Sequence, residues 1–390
     1  MTAHRRRVVV TGLGVVSSGG SDLDRFWSWL AAGEPARVST PVVDFDPRQY
    51  LTAKEVRRSD NFSRYAVGVA RLALADAGAP VAEQRRSGVV LATVYGALES
   101  FDSEREAFDA DGPTGVSPFL APLSCENAAA AMVSADLGWR GPSKVLVTAC
   151  AGGTHAVAEG ADLIRSGRCD LVVAGGTQGR ITPVLMAAYR NLRVLSPSGW
   201  VRPFDRRRDG FVFAEGAAAL VLEPLDAALA RGARIYAEVL GAGHTNDAGS
   251  MVSPSGQGAV ECMEDALADA GLEPGDVTHV NAHGTGTLLN DLREAEALHD
   301  VFGPTPPPVT SVKRLLGHAA GASGAFEAVT AALTVHHGLL PSLGTDVEPD
   351  PDLDLDLVTG APRPFEPGPV LSNSFGLGGH NGCLLVGPVT

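Results

Sequence analysis

The chain has 390 residues, of which 45% are hydrophobic and 19% charged, and its formal net charge is −14. This balance is typical of a globular enzyme with a large core and excludes a disordered chain, while the acidic surface disfavours nucleic-acid binding. No apolar stretch approaches the roughly 18 residues of a transmembrane helix. The five cysteines are scattered, which favours a reducing, cytoplasmic setting over a disulfide framework.

Strand-like and helical patterns alternate from the start of the chain. In order, they predict a strand over 6–10, helices over 23–32 and 63–77, a strand over 88–93 and a helix over 127–137. Such alternation favours an α/β fold with buried sheets. The glycines at 12 and 14 are interpreted as a turn that ends the first strand. They lack the third glycine and the adjoining helix of a dinucleotide-binding site.

One unit occurs twice in the sequence. A strand over 144–148, a turn and a small-residue helix over 153–166 lead to a strand over 171–174, and a strand over 308–312 again precedes such a helix over 317–335. Both helices are apolar nearly all round, so both must be buried on all faces. We therefore predict a layered, internally duplicated architecture with the two helices between sheets.

The first repeat carries a candidate nucleophile. In the run VTACAGG over 147–153, Cys150 lies at a sharp turn between a strand and a helix, and small residues follow it. The amino end of a helix carries about half a positive charge and can lower a thiol pKa. This arrangement is typical of an activated nucleophile, although a small buried cysteine in a core turn would give the same pattern.

Two histidine motifs and a glycine-dense segment follow. The run VNAHGTGT over 280–287 places His283 just after a strand, and SVKRLLGH over 311–318 places Lys313 and His318 beside a turn. The run LSNSFGLGGHN over 371–381 would let backbone N–H groups approach a ligand. No histidine pair has zinc-ligand spacing with a third ligand, so metal catalysis is not expected.

Taken together, these four segments resemble the β-ketoacyl-acyl carrier protein synthases of the thiolase superfamily, over residues 6–386. The set of Cys150, His283 and His318 is similar to that of the elongating, decarboxylating type. The resemblance implies an α/β thiolase fold, an internally duplicated α-β-α-β-α sandwich. Residues 1–233 would form the half with the nucleophile, and residues 234–390 the half with both histidines.

The resemblance also implies roles for residues in the four motifs. Cys150 would take the acyl chain from a carrier protein, and His283 and His318 would stabilise the enolate formed when a malonyl thioester loses carbon dioxide. An ion pair of Lys313 with Glu294 would orient the histidines. The remaining assignments are the oxyanion hole and gate at Cys150, Phe375 and Leu377, and the phosphopantetheine contacts at Thr285 and Thr287. No cofactor or metal is implied, because the substrate arrives on its carrier.

Three departures from the family pattern bear on the pathway. Leu377 stands where a phenylalanine is usual, two loops are short, and Gly152-Gly153 is similar to the chain-length factors that lack the cysteine. These features favour a type II polyketide or polyene ketosynthase. A housekeeping fatty-acid synthase and a non-catalytic chain-length factor are the alternatives. The expected partners are acyl carrier protein and a second subunit, in a homodimer or a heterodimer with a chain-length-factor-like chain, with no nucleic acid or membrane.

Overall fold

The computed structural model describes residues 5–33 and 41–390; residues 1–4 and 34–40 of the predicted N-terminal half lie outside the described residues. The strands are β1 (Val8–Val16), β2 (Ser87–Ala92), β3 (Ser143–Leu146), β4 (Leu171–Gln178), β5 (Gly216–Pro224), β6 (Ala237–Asn246), β7 (His279–Asn281), β8 (Val309–Thr310), β9 (Leu339–Leu340), β10 (Arg363–Pro364), β11 (Val370–Gly376) and β12 (His380–Gly387). The α-helices are α1 (Leu23–Ala32), α2 (Ala53–Arg57), α3 (Asn61–Asp76), α4 (Leu98–Asp111), α5 (Leu120–Leu123), α6 (Ala128–Leu137), α7 (Gly152–Arg165), α8 (Pro183–Asn191), α9 (Leu225–Ala230), α10 (Gln257–Ala270), α11 (Leu288–Phe302), α12 (Lys313–Leu316) and α13 (Ser323–His337). Across the described part of the chain, no helix combines the length and apolarity needed to cross a membrane.

The main sheet has ten strands and consists of two sets with the same topology. Its order is β3-β2-β4-β5-β1-β6-β12-β11-β7-β8. In chain order, one set is β1 to β5 and the other is β6, β7, β8, β11 and β12. Within each set, the fifth strand in chain order is antiparallel to the first and to the fourth, and the remaining pairs are parallel. The sets join where Val9 and Val10 of β1 pair with Glu238 and Ala237 of β6. The predicted internal duplication is confirmed, with the two sets continuous at this edge.

Helices form layers inside and outside these strands. Helices α7 and α13 contact each other and strands of both sets, so they form the central layer. Outside, α3 covers β1, β4 and β5, and α10 covers β6 and β12. This is the predicted α-β-α-β-α sandwich.

The crossing of the central helices explains their many small residues. Every residue of α13 from Ser323 to Val335 is buried. A Cβ on Gly153 of α7 would overlap the backbone nitrogen of Ala325, and one on Gly324 would overlap that of Thr154. The two backbones are in contact, which only glycine permits at these positions. Gly153 therefore has a packing role in this chain.

The predicted glycine turn at the end of the first strand is wrong. Strand β1 continues through Gly12 and Gly14 as far as Val16. A Cβ on Gly12 would overlap the carbonyl oxygen of Ala73, and one on Gly14 would lie 2.5 Å from that of Val69. These glycines let the α3 backbone lie directly on the strand, which is a close approach and requires no turn.

Most other predicted elements are present, with shifted ends. Helix α1 coincides with the prediction, and α3, α6 and α7 differ from it by one or two residues. The helix predicted over 317–335 is interrupted, because the backbone of His318 hydrogen-bonds to Val212 and Ala214 before α13 begins. The division of the chain at residue 233 stays a prediction; it falls in the connection between α9 and β6.

Candidate active site

A cavity of about 450 Å³ brings together most of the residues singled out in the sequence. Its lining includes Cys150, His283, His318, Thr285, Thr287, Phe375 and Leu377. Lys313 and Glu294 do not line it but are buried behind the histidines. Four segments that are distant in sequence therefore meet at one site.

Cys150 lies at the turn between β3 and α7, as the sequence predicts. A 3-10 turn over Ala149–Ala151 precedes the helix, and Ala149 has φ of 48°. A left-handed conformation costs a non-glycine residue about 1–2 kcal/mol, so the surrounding packing must hold the turn in place. Part of that packing is Gly376, where an added Cβ would lie 3.0 Å from the Cys150 nitrogen.

Burial dominates the electrostatics of the thiol. It raises the pKa of Cys150 to about 11, against the opposing effects of the Lys313 charge and the backbone N–H groups of Leu377 and Cys150. The pKa lowering expected from the helix end is therefore not the net result. At neutral pH Cys150 is a thiol, so its proton must leave as it attacks a substrate.

Hydrogen bonds fix the protonation of His318. Its Nδ1 accepts the backbone N–H of Ala320 at 3.1 Å and lies 2.9 Å from Ser323 Oγ. Burial, with the Lys313 charge, holds its pKa well below the ordinary value. The ring is therefore neutral, and its hydrogen is on Nε2.

His283 has the same protonation for a different reason. Its Nδ1 accepts from the Lys313 ammonium at 3.1 Å, which leaves the hydrogen on Nε2. Burial and the charge of Lys313 keep its pKa well below the usual range. The ring centroids of His283 and His318 are 5.6 Å apart. The cavity thus holds two neutral imidazoles as neighbouring N–H donors.

Lys313 pairs with Glu327 of α13, not with Glu294 as the sequence reading expected. Its ammonium donates to the Glu327 carboxylate, to the carbonyl of His283 at 2.7 Å and to His283 Nδ1. The second Glu327 oxygen accepts from Ser374 Oγ at 2.7 Å. Sequence reasoning missed Glu327. The available signal was a single acid within a helix apolar on every face, since such a buried charge needs a partner.

Glu294 instead holds the loop that carries His283. Its two oxygens accept the backbone N–H groups of His283 at 2.7 Å and Gly284 at 2.8 Å. Burial raises the pKa of Glu294 to about 7, although both N–H groups oppose this. Asp291 accepts from Gly286 in the same loop at 3.1 Å. Glu294 and Asp291 therefore fix the loop backbone.

The remaining predicted residues lie around the cavity wall. The hydroxyls of Thr285 and Thr287 are 3.0 Å apart. Phe375 packs beside His283, with ring centroids 5.8 Å apart. The backbone N–H of Leu377 lies near the Cys150 sulfur, where it lowers the pKa of that thiol. The residue Leu377 is 37% exposed. Cys150 and Leu377 thus place two backbone N–H groups by the sulfur.

Comparison with known proteins shows the family of this chain. The sequence fits the family models for the N-terminal domain of beta-ketoacyl synthase over residues 40–228 and for its C-terminal domain over 236–344. It is 37% identical to a 3-oxoacyl-[acyl-carrier-protein] synthase 2 of Staphylococcus aureus, with 98% of each chain covered.

Solved structures agree with these matches. The ishigamide ketosynthase/chain length factor superposes with a TM-score of 0.94 at 34% identity, over 99% of this chain and 100% of that one. A complex of a type II PKS acyl-carrier protein with its ketosynthase bound to the hexaketide contains a chain with a TM-score of 0.89 at 28% identity and the same coverage. The chain therefore belongs to the β-ketoacyl synthase family of condensing acyltransferases.

Proposed function

We propose that this enzyme elongates a chain held on acyl carrier protein by decarboxylative Claisen condensation with malonyl-carrier protein, through an acyl-Cys150 intermediate. The observation that carries the proposal is the pair of neutral histidines beside Cys150 in one cavity. Neutral N–H donors suit a reaction in which negative charge develops on a thioester oxygen.

In the first half-reaction Cys150 accepts the acyl chain. The sulfur attacks the thioester carbonyl carbon and gives up its proton, and the carrier thiol leaves with a proton. The oxyanion would accept from the backbone N–H groups of Cys150 and Leu377, which meet at the sulfur. Such donors cost no reorganisation during the reaction, because the turn and strand already hold them.

In the second half-reaction the histidines act on the malonyl thioester. Loss of carbon dioxide leaves an enolate, and its oxygen would accept from Nε2–H of His283 and His318. The enolate carbon then attacks the acyl-Cys150 carbonyl and releases the thiolate, which takes a proton from solvent. Lys313 and Glu294 act as positioning residues, since their hydrogen bonds hold His283 and its loop.

The carrier arm would enter past the threonines. Thr285 and Thr287 line the cavity and offer hydroxyls to the amides of phosphopantetheine. We expect no other cofactor, because the thioester supplies the reactive carbonyl and the carrier supplies the arm. We also expect a cytoplasmic enzyme.

A role in polyketide or polyene synthesis is the pathway we favour. Leu377 in place of the usual phenylalanine and the likeness to the ishigamide and hexaketide-bound ketosynthases support it. The 37% identity to 3-oxoacyl-carrier synthase 2 keeps housekeeping elongation as the second candidate. The presence of Cys150 weighs against a non-catalytic chain-length factor. The glycine at 153, which is similar to those factors, is explained by the close contact of α7 with α13.

An exposed sheet edge supports a partner subunit. Among the strands that the structure describes, β3 is at the end of the main sheet and pairs only with β2. Val147, next to it, is 50% exposed. Such an edge is a template for pairing with a second chain. We therefore expect a dimer, made either with a second copy or with a chain-length-factor-like subunit.

Intact mass spectrometry tests the proposed function. The protein alone would be incubated with a panel of acyl-carrier thioesters, and peptide mapping would locate the adduct. We expect acylation of Cys150, with none in Cys150→Ala. If no chain loads even when a chain-length-factor subunit is added, the catalytic proposal is wrong.

A further inference from the structure

Aromatic side chains form one wall of the cavity that contains Cys150. Tyr95, Tyr189, Phe211 and Phe213 all line it. The ring of Tyr189 packs edge-on against Phe211 at 6.3 Å and Phe213 at 4.8 Å between centroids. Tyr189 is buried, and Tyr95 lies on the loop between β2 and α4. The wall is packed, so its polar atoms have fixed positions.

The two tyrosine hydroxyls hydrogen-bond to each other. Two phenols carry two hydroxyl hydrogens, and this bond uses one of them. Within residues 5–33 and 41–390, neither hydroxyl has another hydrogen-bond partner. Burial raises the pKa of both phenols, so both stay protonated at physiological pH. One hydroxyl hydrogen therefore remains for a molecule in the cavity.

We propose that the Tyr95–Tyr189 pair selects acyl chains that carry a carbonyl or hydroxyl oxygen close to the thioester over saturated chains. The inference rests on the proposed ketosynthase function and specifies its substrate class. An oxygen on the chain accepts the free phenolic hydrogen. A saturated chain displaces water from the pair and leaves a buried donor unpaired, which is unfavourable. Sites built to hydrogen-bond a substrate reject analogues that lack the partner group.

The position of the pair limits where the oxygen must lie. Cys150 and both tyrosines line the same cavity, and the charge of a Cys150 thiolate acts on both phenols. The contact therefore involves the first few carbons of the chain and not its far end. This chemistry fits a growing chain whose carbonyls or hydroxyls persist, and it disfavours one that is fully reduced after each addition.

Competitive loading tests the inference. Hexanoyl-pantetheine would compete in turn with 3-oxohexanoyl-, 3-hydroxyhexanoyl- and 5-oxohexanoyl-pantetheine, and mass spectrometry would give the ratio of adducts on Cys150. We expect at least one oxygenated chain to be preferred about tenfold over hexanoyl. Either single variant, Tyr95→Phe or Tyr189→Phe, keeps one phenolic hydrogen and should keep much of the preference. The double variant has none and should lose it.

Controls separate this inference from the proposed function. Tyr236→Phe removes a hydroxyl bonded to Asp76 outside the cavity and should leave the ratio unchanged. Equal loading of hexanoyl and every oxygenated chain by the wild type overturns the inference while leaving the ketosynthase function intact, whether or not the variants fold. A preference that survives in a folded double variant also overturns it. If neither these thioesters nor the acyl-carrier thioesters give an adduct, even with a chain-length-factor subunit added, the proposed function and this inference are both wrong.

Discussion

The turns before the two central helices have the same backbone conformation but carry different functional groups. Each has a 3-10 turn directly before the helix, and each opens with an alanine at positive φ, 48° at Ala149 and 44° at Ala320. Each alanine lies three positions before the first residue of its helix, so Cys150 in the first turn corresponds to Gly321 in the second.

Packing explains why the second turn has no side chain at this position. A Cβ on Gly321 would lie 2.7 Å from the backbone of Thr93. The second unit instead contributes His318 from just before its turn and the buried Lys313–Glu327 pair. One backbone unit thus supplies a nucleophile to the cavity, and its duplicate supplies a donor and a structural charge pair.

Removing one functional group from each unit should separate the two half-reactions. We expect Cys150→Ala to lose condensation by about 10⁴-fold or more while decarboxylation of malonyl-carrier protein continues. His318→Ala should lose about 10²–10³-fold of decarboxylation and still accept acyl chains. Carbon dioxide release and adduct mass measure the two activities. Loss of both activities in the folded Cys150→Ala protein would contradict the separation.

The pH dependence of alkylation tests whether burial or the helix end determines the pKa of Cys150. Because burial raises the pKa of Cys150 to about 11, the reactive thiolate fraction should grow roughly tenfold per pH unit between pH 7 and 10. Iodoacetamide labelling with peptide mapping would follow Cys150 separately from the exposed Cys125. A rate that levels off near pH 8 would instead show that the helix end outweighs burial.

The buried charge pair distinguishes the second helix from the first. Glu327→Ala would leave Lys313 as an unpaired buried charge, and we expect a loss of about 3–5 kcal/mol in the free energy of unfolding. Glu159 of α7 pairs with Lys144 at a half-exposed site and provides the matched control. Glu159→Ala should cost less than about 1 kcal/mol. Denaturant titration compares the variants, and equal losses would contradict this distinction.

The smallest expected effect is at the glycine of the second turn. Gly321→Ala forces a methyl group against the Thr93 backbone and should cost about 1–3 kcal/mol. Gly275→Ala points into open space and should change stability by no more than about 0.5 kcal/mol. Thermal unfolding would compare them. If Gly321→Ala is as stable as its control, close packing does not account for the missing side chain.

Local patterns predicted the layered, duplicated architecture, and the family resemblance was needed to join the candidate site residues. Apolar, small-residue helices after two strands indicated the duplication, and the motif order identified Cys150, His283 and His318. These features are encoded in short runs, and the resemblance joined them. Glycine is harder to interpret, because Gly12 and Gly14 look like a turn in sequence yet serve the contact of β1 with α3.

Partners across the fold were the part that sequence could not supply. Lys313 lies between Glu294 and Glu327 in sequence, and only the packing of α13 shows that Glu327 takes the ion pair. Likewise, the net pKa of Cys150 depends on how deeply the turn is buried, which the run VTACAGG does not state. The tyrosine pair joins residues 94 positions apart, and no local motif connects them.

The helix crossing at Gly153 and Gly324 has a consequence for how the chain loses its structure. Each central helix is covered partly by strands of the other set, so neither half alone can bury its own helix. Fragments made by cutting between α9 and β6 would each present an uncovered apolar helix and would have to associate to become stable. The duplicated halves are therefore separate in sequence, but they should melt in a single cooperative transition.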